Sequence, residues 1–174
     1  MNDLNDIVIT PLKSVCIGGS EIRLGCTPSE LKAALGEPES LHKNSTYYFG
    51  NELRVDFGTD GRAEFIEFLG GADGALQPMI YGVPAFKTSA DELYKLLAEK
   101  NGGEIDDSEN GYSYAFVNIS VGLYRESIPE NVDDMIAEAE RDGFPMSAED
   151  IAAERKKAEF WATIGIGRAG YYGK

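Results

Sequence analysis

Apolar and polar positions alternate with period two in several short stretches, and each such stretch predicts a strand with one buried face. Leu53, Val55 and Phe57 alternate with Arg54 and Asp56; Tyr112, Tyr114 and Phe116 alternate, as do Ile119, Val121 and Leu123. Strands are expected over residues 20–24, 46–49, 52–57 and 63–69, then over the two later runs, and finally over 159–166, which carries Trp161. Gly50-Asn51 and Asp60-Gly61 supply turns within the first meander, and Val117-Asn118 a tight turn or bulge in the second. Residues 7–17 read as a loose apolar segment broken at Pro11.

Helical spacing appears four times, each time behind a start signal. Thr27-Pro28-Ser29-Glu30 offers a cap, a proline at the first helical position and a glutamate that closes a capping box. Leu31, Ala34 and Leu35 follow as a one-sided stripe, and Gly36 with Pro38 ends it. Ser89-Ala90-Asp91-Glu92 opens a second helix with Leu93, Leu96 and Leu97 inward, closed by Asn101-Gly102-Gly103. Ser127-Ile128-Pro129-Glu130 opens a third with Val132, Met135, Ile136 and Ala139 inward, and Ser147-Ala148-Glu149-Asp150 opens a fourth. The spacing predicts helices over 28–35, 89–100, 128–142 and 148–158.

The order of elements repeats. Each half reads as helix, strand, strand, strand, and the later copy has the helical pair 127–158 inserted before its last strand. The expected fold is α+β: two pseudo-repeated units, each a helix plus a three-stranded antiparallel meander. Repeat 1 covers about 20–70 and repeat 2 about 81–170, with a glycine-rich linker at 70–80. Neither half holds much core alone, so the 174 residues are expected to form a single compact unit.

Composition narrows the function classes. Hydrophobic residues make up 43% and charged residues 26%, ordinary values for a globular chain. The formal net charge of -14 is spread over both halves; such a field repels nucleic acid and anionic lipid and steers a basic partner inward. No nucleic-acid partner and no membrane are expected. Cys16 and Cys26 are the two cysteines, and Met1 to Asp6 has neither a basic nor an apolar export region. The expectation is a cytoplasmic protein with two free thiols. Self-association is left open.

The short motifs that spell chemistry lack the context for it. Gly165-Ile166-Gly167-Arg168-Ala169-Gly170 matches the dinucleotide pattern, but only four residues follow, and the pattern needs a helix there. A flexible or hairpinned C-terminal end is the expectation. Asp56-Phe57-Gly58 matches a kinase tripeptide without the rest of a kinase, and Asp56, Asp60 and Glu64 lack the spacing of a calcium loop. His42 is the one histidine, which excludes most zinc hydrolase sites; with Cys16 it could form a nucleophilic dyad. No catalytic residue, metal or cofactor is assigned.

Residues 126–150 hold nine acidic side chains and one basic one, Arg141. Asp133, Asp134, Glu138 and Asp142 are the candidate protein-docking face, with Tyr47, Tyr48, Tyr112, Tyr171 and Tyr172 as candidate aromatic anchors. Ile22-Arg23-Leu24-Gly25-Cys26-Thr27-Pro28-Ser29-Glu30-Leu31, followed by Leu35-Gly36-Glu37-Pro38, resembles the signature of the SmpA/OmlA (BamE-like) group. The tandem-repeat beta-lactamase inhibitor proteins share that general architecture. Tyr47-Tyr48-Phe49 and Leu53-Arg54-Val55-Asp56-Phe57 extend the likeness over about residues 22–69, with a faint second copy. The resemblance implies a non-catalytic, protein-binding architecture. Small acidic immunity proteins offer an analogy of class. The leading expectation is a non-enzymatic module for a basic protein, immunity-like or inhibitory; the alternative is a small-ligand domain or an enzyme with a pocket between sheet and helices.

Overall fold

The local signals at helix starts translate directly into structure. In the computed structural model, which describes residues 4–173, helix α1 (Pro28–Leu35) begins behind Thr27. The Thr27 side chain accepts from the Glu30 amide at 3.2 Å, and the Thr27 amide donates to the Glu30 carboxylate at 2.8 Å. This is the expected capping box. Helix α2 (Ala90–Asn101) starts behind Ser89 and ends at Gly102, which takes the left-handed conformation at φ 57. Helices α3 (Pro129–Arg141) and α4 (Ala148–Glu159) complete the set among the described residues.

The strands form two sheets. The first contains β1 (Ile7–Thr10), β2 (Ser14–Ile17), β3 (Ser20–Arg23), β8 (Met79–Ile80) and β9 (Val83–Pro84), in the order β3-β2-β1-β8-β9. The second contains β4 (Ser40–His42), β5 (Ser45–Tyr48), β6 (Leu53–Phe57), β7 (Ala63–Phe68), β10 (Ile105–Asp106), β11 (Ser113–Phe116), β12 (Val121–Tyr124) and β13 (Thr163–Gly167). Its order is β10-β11-β12-β13-β7-β6-β5-β4, antiparallel at every pairing. Two meanders thus meet along the β7–β13 pair. The fold is α+β, with one parallel contact, β1 with β8, in an otherwise antiparallel arrangement.

One core unites these layers. Ile7, Val15 and Ile22 from the small sheet, Leu31 from α1, and Leu93 and Leu97 from α2 join one buried cluster with the inner face of the large sheet. Across that face Val55, Ile66, Ile166, Val121 and Phe116 stand in successive cross-strand register, all buried. Trp161, 1% exposed, joins α2 to this core by donating from Nε1 to the Ala90 carbonyl at 3.1 Å.

Several expectations need correction. Residues 7–17 are a hairpin rather than a loose segment, with Pro11 in its turn. The glycine-rich stretch after β7 is fixed in place: Gly71–Asp73 forms a 3-10 turn, Leu76 is buried, and Glu52 accepts from the Ala75 and Leu76 amides at 2.9 Å each. The turn after β11 spans 117–120, so Ile119 belongs to it, not to a strand. Buried Asn101 organises that turn by accepting from the Asn118 and Ile119 amides at 2.8 and 3.1 Å. The last strand begins at Thr163 rather than 159, because α4 has no breaker and runs on to Glu159. Of the third helix's inward stripe, only Val132 is fully buried; Met135, Ile136 and Ala139 remain half-buried. Met1, Asn2 and Asp3, which begin the segment read for export, lie outside the described residues. Among the described residues no helix is long and apolar enough to cross a membrane.

Candidate docking surfaces

Helices α3 and α4 pack on each other, and α4 reaches α2. Asp133, Asp134, Glu138 and Asp142 are all exposed. They do not act alike. Asp133 turns toward α4 and pairs with Arg155 at 3.1 Å, so it belongs to the joint between the helices. Asp134, Glu138 and Asp142 recur every fourth residue and fall on one helix face. Glu130, also exposed, extends the row by one more step; its spacing was visible in the sequence, but it was not singled out there. The row runs about 18 Å along α3 at 1.5 Å per residue. Among the described residues none of Glu130, Asp134, Glu138 and Asp142 forms an ion pair.

This placement does not favour the helix itself. Carboxylates four residues apart repel one another. Asp142 stands at the C-cap of α3, where the helix dipole is already negative. Just beyond it, Phe144 is 82% exposed in the connection to α4. The tip of the hairpin therefore joins uncompensated negative charge to one bare aromatic ring.

A second surface is the outer face of the eight-stranded sheet. Its residues alternate with the buried ones, and one cross-strand row runs through all eight strands: Ser40, Tyr47, Arg54, Glu67, Gly165, Gly122, Ala115, Asp106. The C-terminal residues fold back across part of this face. Tyr171 stacks on Phe65 with centroids 4.8 Å apart, and Tyr172 meets both rings edge-on. Glycine is required beneath them. A Cβ on Gly122 would lie 1.9 Å from the Tyr172 hydroxyl, and one on Gly165 would lie 2.3 Å from the Phe65 ring. Burial raises the Tyr172 phenol well above its ordinary range.

The charged part of this face is compact. Arg54 Nη2 pairs with Glu67 at 2.8 Å, while its Nε lies 3.2 Å from Asp56 without the alignment of a hydrogen bond. Burial pushes the Glu67 carboxyl up, against the pull of Arg54. Beside Glu67 lies a trough of 280 Å³ floored by Gly122 and Ala115, flanked by Tyr124 and Tyr172, with Asp106 and Glu109 at its far rim. Of the candidate anchors, Tyr47, Tyr171 and Tyr172 reach this face, Tyr48 is in the core, and Tyr112 is half-buried ahead of β11.

The remaining motifs do not assemble into sites. Cys16 lies on β2 and His42 on the edge strand of the other sheet, and they share no hydrogen bond. Asp60 is held by Arg168, and Asp56 by Arg54 and Ser45. Among the described residues no three His, Cys, Asp or Glu side chains gather as a metal-binding group. The glycines of the dinucleotide pattern lie on β13 and in the turn that returns the chain over the sheet. Both thiols are free. No protein-family model, no curated protein and no solved structure matches the chain.

Proposed function

We propose that this chain is a non-enzymatic protein-binding module and that the α3–α4 hairpin docks it to a basic partner. The observation that carries the reading is the row Glu130, Asp134, Glu138 and Asp142: exposed, regularly spaced and without ion pairs among the described residues. Like charges at this spacing cost a helix stability, so the arrangement is explained by something outside the helix that relieves it. A basic partner does so, and the attraction speeds encounter. Phe144 at the tip supplies an apolar contact beside the charged row.

The resemblance to tandem inhibitor-type folds supports an inhibitory role, and the analogy of class with small acidic immunity proteins supports an immunity-like one. We also infer that the two meanders descend from one duplicated unit. In support, β4-β5-β6-β7 and β10-β11-β12-β13 each follow a capped helix and pack edge to edge at β7 and β13. The α3–α4 hairpin is then an insertion that the first unit does without, free to serve binding.

The test is affinity capture with the wild-type chain and with the Asp134→Asn, Glu138→Gln, Asp142→Asn variant, followed by association kinetics with the captured protein. The reading requires a basic partner whose on-rate falls with salt, and a variant that binds more slowly with a flatter salt slope. An unchanged on-rate and slope would show the row to be a solvated surface only.

A further inference from the structure

We infer that the trough on the outer face of the large sheet receives an arginine side chain of a partner protein. The inference rests on the protein-binding reading above but uses different residues on a different face. Three features converge there.

The first is space. The Phe65 ring and the Tyr172 hydroxyl take the space over Gly165 and Gly122, but beside them the small residues Ala115, Ser113 and Thr163 leave room between Tyr124 and Tyr172. The resulting cavity of 280 Å³ falls just below the range of about 300–1,000 Å³ typical of small-molecule sites. It suits one long side chain better than a cofactor.

The second is charge. Glu67 closes one end, and Asp106 and Glu109 stand at the other. The residues lining the trough include no lysine and no arginine. Arg54, which pairs with Glu67, is already divided between Glu67 and Asp56, so two carboxylates share one guanidinium. The site is left short of positive charge.

The third is aromatic walls. Tyr124, 44% exposed, and Tyr172 border the trough. A guanidinium stacks on such faces while its N–H groups reach carboxylates, which an ammonium does less well. The same face already holds one guanidinium in this manner: Arg54 lies 5.9 Å from the Phe65 ring centroid while it pairs with Glu67. A partner's arginine would repeat that arrangement three strands along.

The experiment titrates the isotope-labelled full chain, followed by amide NMR, with N-acetyl-arginine amide. Its neutral isostere N-acetyl-citrulline amide and the free polyamine spermidine serve as comparison probes. The inference requires saturable shifts centred on Ala115, Gly122, Tyr124 and Thr163, with none from the citrulline probe and weaker ones from spermidine. Glu67→Gln should weaken the arginine probe about tenfold, the worth of one charge-assisted bond. The exposed double variant Asp106→Asn, Glu109→Gln should weaken it several-fold and decides the matter if Glu67→Gln fails to fold. The α3 variant should leave the titration unchanged. Shifts centred on α3, equal shifts from citrulline, stronger binding of spermidine, or indifference to the trough variants would each overturn the inference. The α3 reading fails separately, through unchanged partner kinetics, without altering this titration.

Discussion

Arg168 and Asp60, 108 residues apart in the chain, meet through two hydrogen bonds of 2.7 and 3.1 Å. Arg168 also donates from Nε to the Ala63 carbonyl at 2.8 Å, and its own carbonyl accepts from Ser120 Oγ at 2.9 Å. One side chain therefore ties the chain's last turn to the β6–β7 connection.

That tie fixes a pH dependence. The Arg168 guanidinium, helped by the Arg62 amide, lowers the Asp60 carboxyl from 3.8 to about 2. A depressed folded-state value means that the contribution is whole above the unfolded value and is lost as pH falls through about 2. Arg168→Gln should return Asp60 toward its ordinary value, read by a carboxyl-resolved NMR titration. The stability difference between variant and wild type should shrink as acid is added across that window. An Asp60 titration that does not move in Arg168→Gln would show that the pair is not formed in solution.

Trp161 offers a second measurement, because it is the one tryptophan and it sits where α2, α4 and the large sheet meet. Tyr114 meets its ring edge-on at 5.8 Å, and the Arg125 guanidinium lies 5.0 Å from its centroid. Trp161→Phe keeps most of the apolar bulk but removes the indole donor to the Ala90 carbonyl, which stays within the hydrogen-bond ladder of α2. The expected loss is about 0.5–1.5 kcal/mol, the net worth of one buried hydrogen bond, read by urea unfolding with circular dichroism.

How much of this was legible depends on the range of the cause. Helices α1, α2 and α4 were readable because caps and stripes are local: Thr27, Glu30 and Leu31 lie within one turn of one another. Helix α3 was readable from Pro129 and its stripe, for it starts behind Ile128 without a side-chain cap, and Ser127 accepts from Asn131 instead. The strands β8, β9 and β10 were not, since each has two residues and no period can be seen in two. The parallel pairing of β1 with β8 joins Val8 to Met79, and nothing near either residue announces it. Residues 159–166 misled because Phe160, Trp161, Ile164 and Ile166 look like one apolar run, whereas the first two belong to the connection after α4. The acidic row on α3 was half legible: Asp134, Glu138 and Asp142 were readable as one face, while Glu130, which extends it, was not singled out and Asp133 turns to Arg155 on α4. The trough was not legible at all, because Glu67, Gly165, Gly122 and Asp106 become neighbours only through the register of five strands.

The thiols should differ in reactivity. Cys26 is buried just before α1, and burial, reinforced by the charge of Glu30, pushes its thiol up. Cys16, on β2, is only half-buried. Since the thiolate is the reacting species, a raised value slows Cys26 twice over, through less thiolate and less access. A disulfide-exchange reagent should label one group promptly in the native protein and both after denaturation. Equal prompt labelling of both would contradict the burial of Cys26.

The C-terminal tyrosines give the last test, through a glycine. Gly122 is half-buried on β12, and a Cβ there would lie 1.9 Å from the Tyr172 hydroxyl and 2.8 Å from the adjoining ring carbon. Gly122→Ala cannot be absorbed by the backbone without breaking its pairings with Ala115 and Gly165, so the ring must leave. Folding raises the Tyr172 phenol because the buried ring disfavours the charged form. The sign follows: this group's contribution is whole below the unfolded value of about 10 and is lost as pH climbs above it. Once expelled, Tyr172 should ionise in the ordinary phenol range, so Gly122→Ala should show one additional phenol titrating near pH 10 by ultraviolet absorbance. The wild type should therefore lose stability over a more alkaline window that the variant lacks. The same substitution leaves Arg168 and Asp60 untouched, so the last turn should stay anchored while only the ring swings out. If the phenol titration of Gly122→Ala is identical to that of the wild type, Tyr172 does not lie over β12 in solution, and the trough described above loses one of its walls.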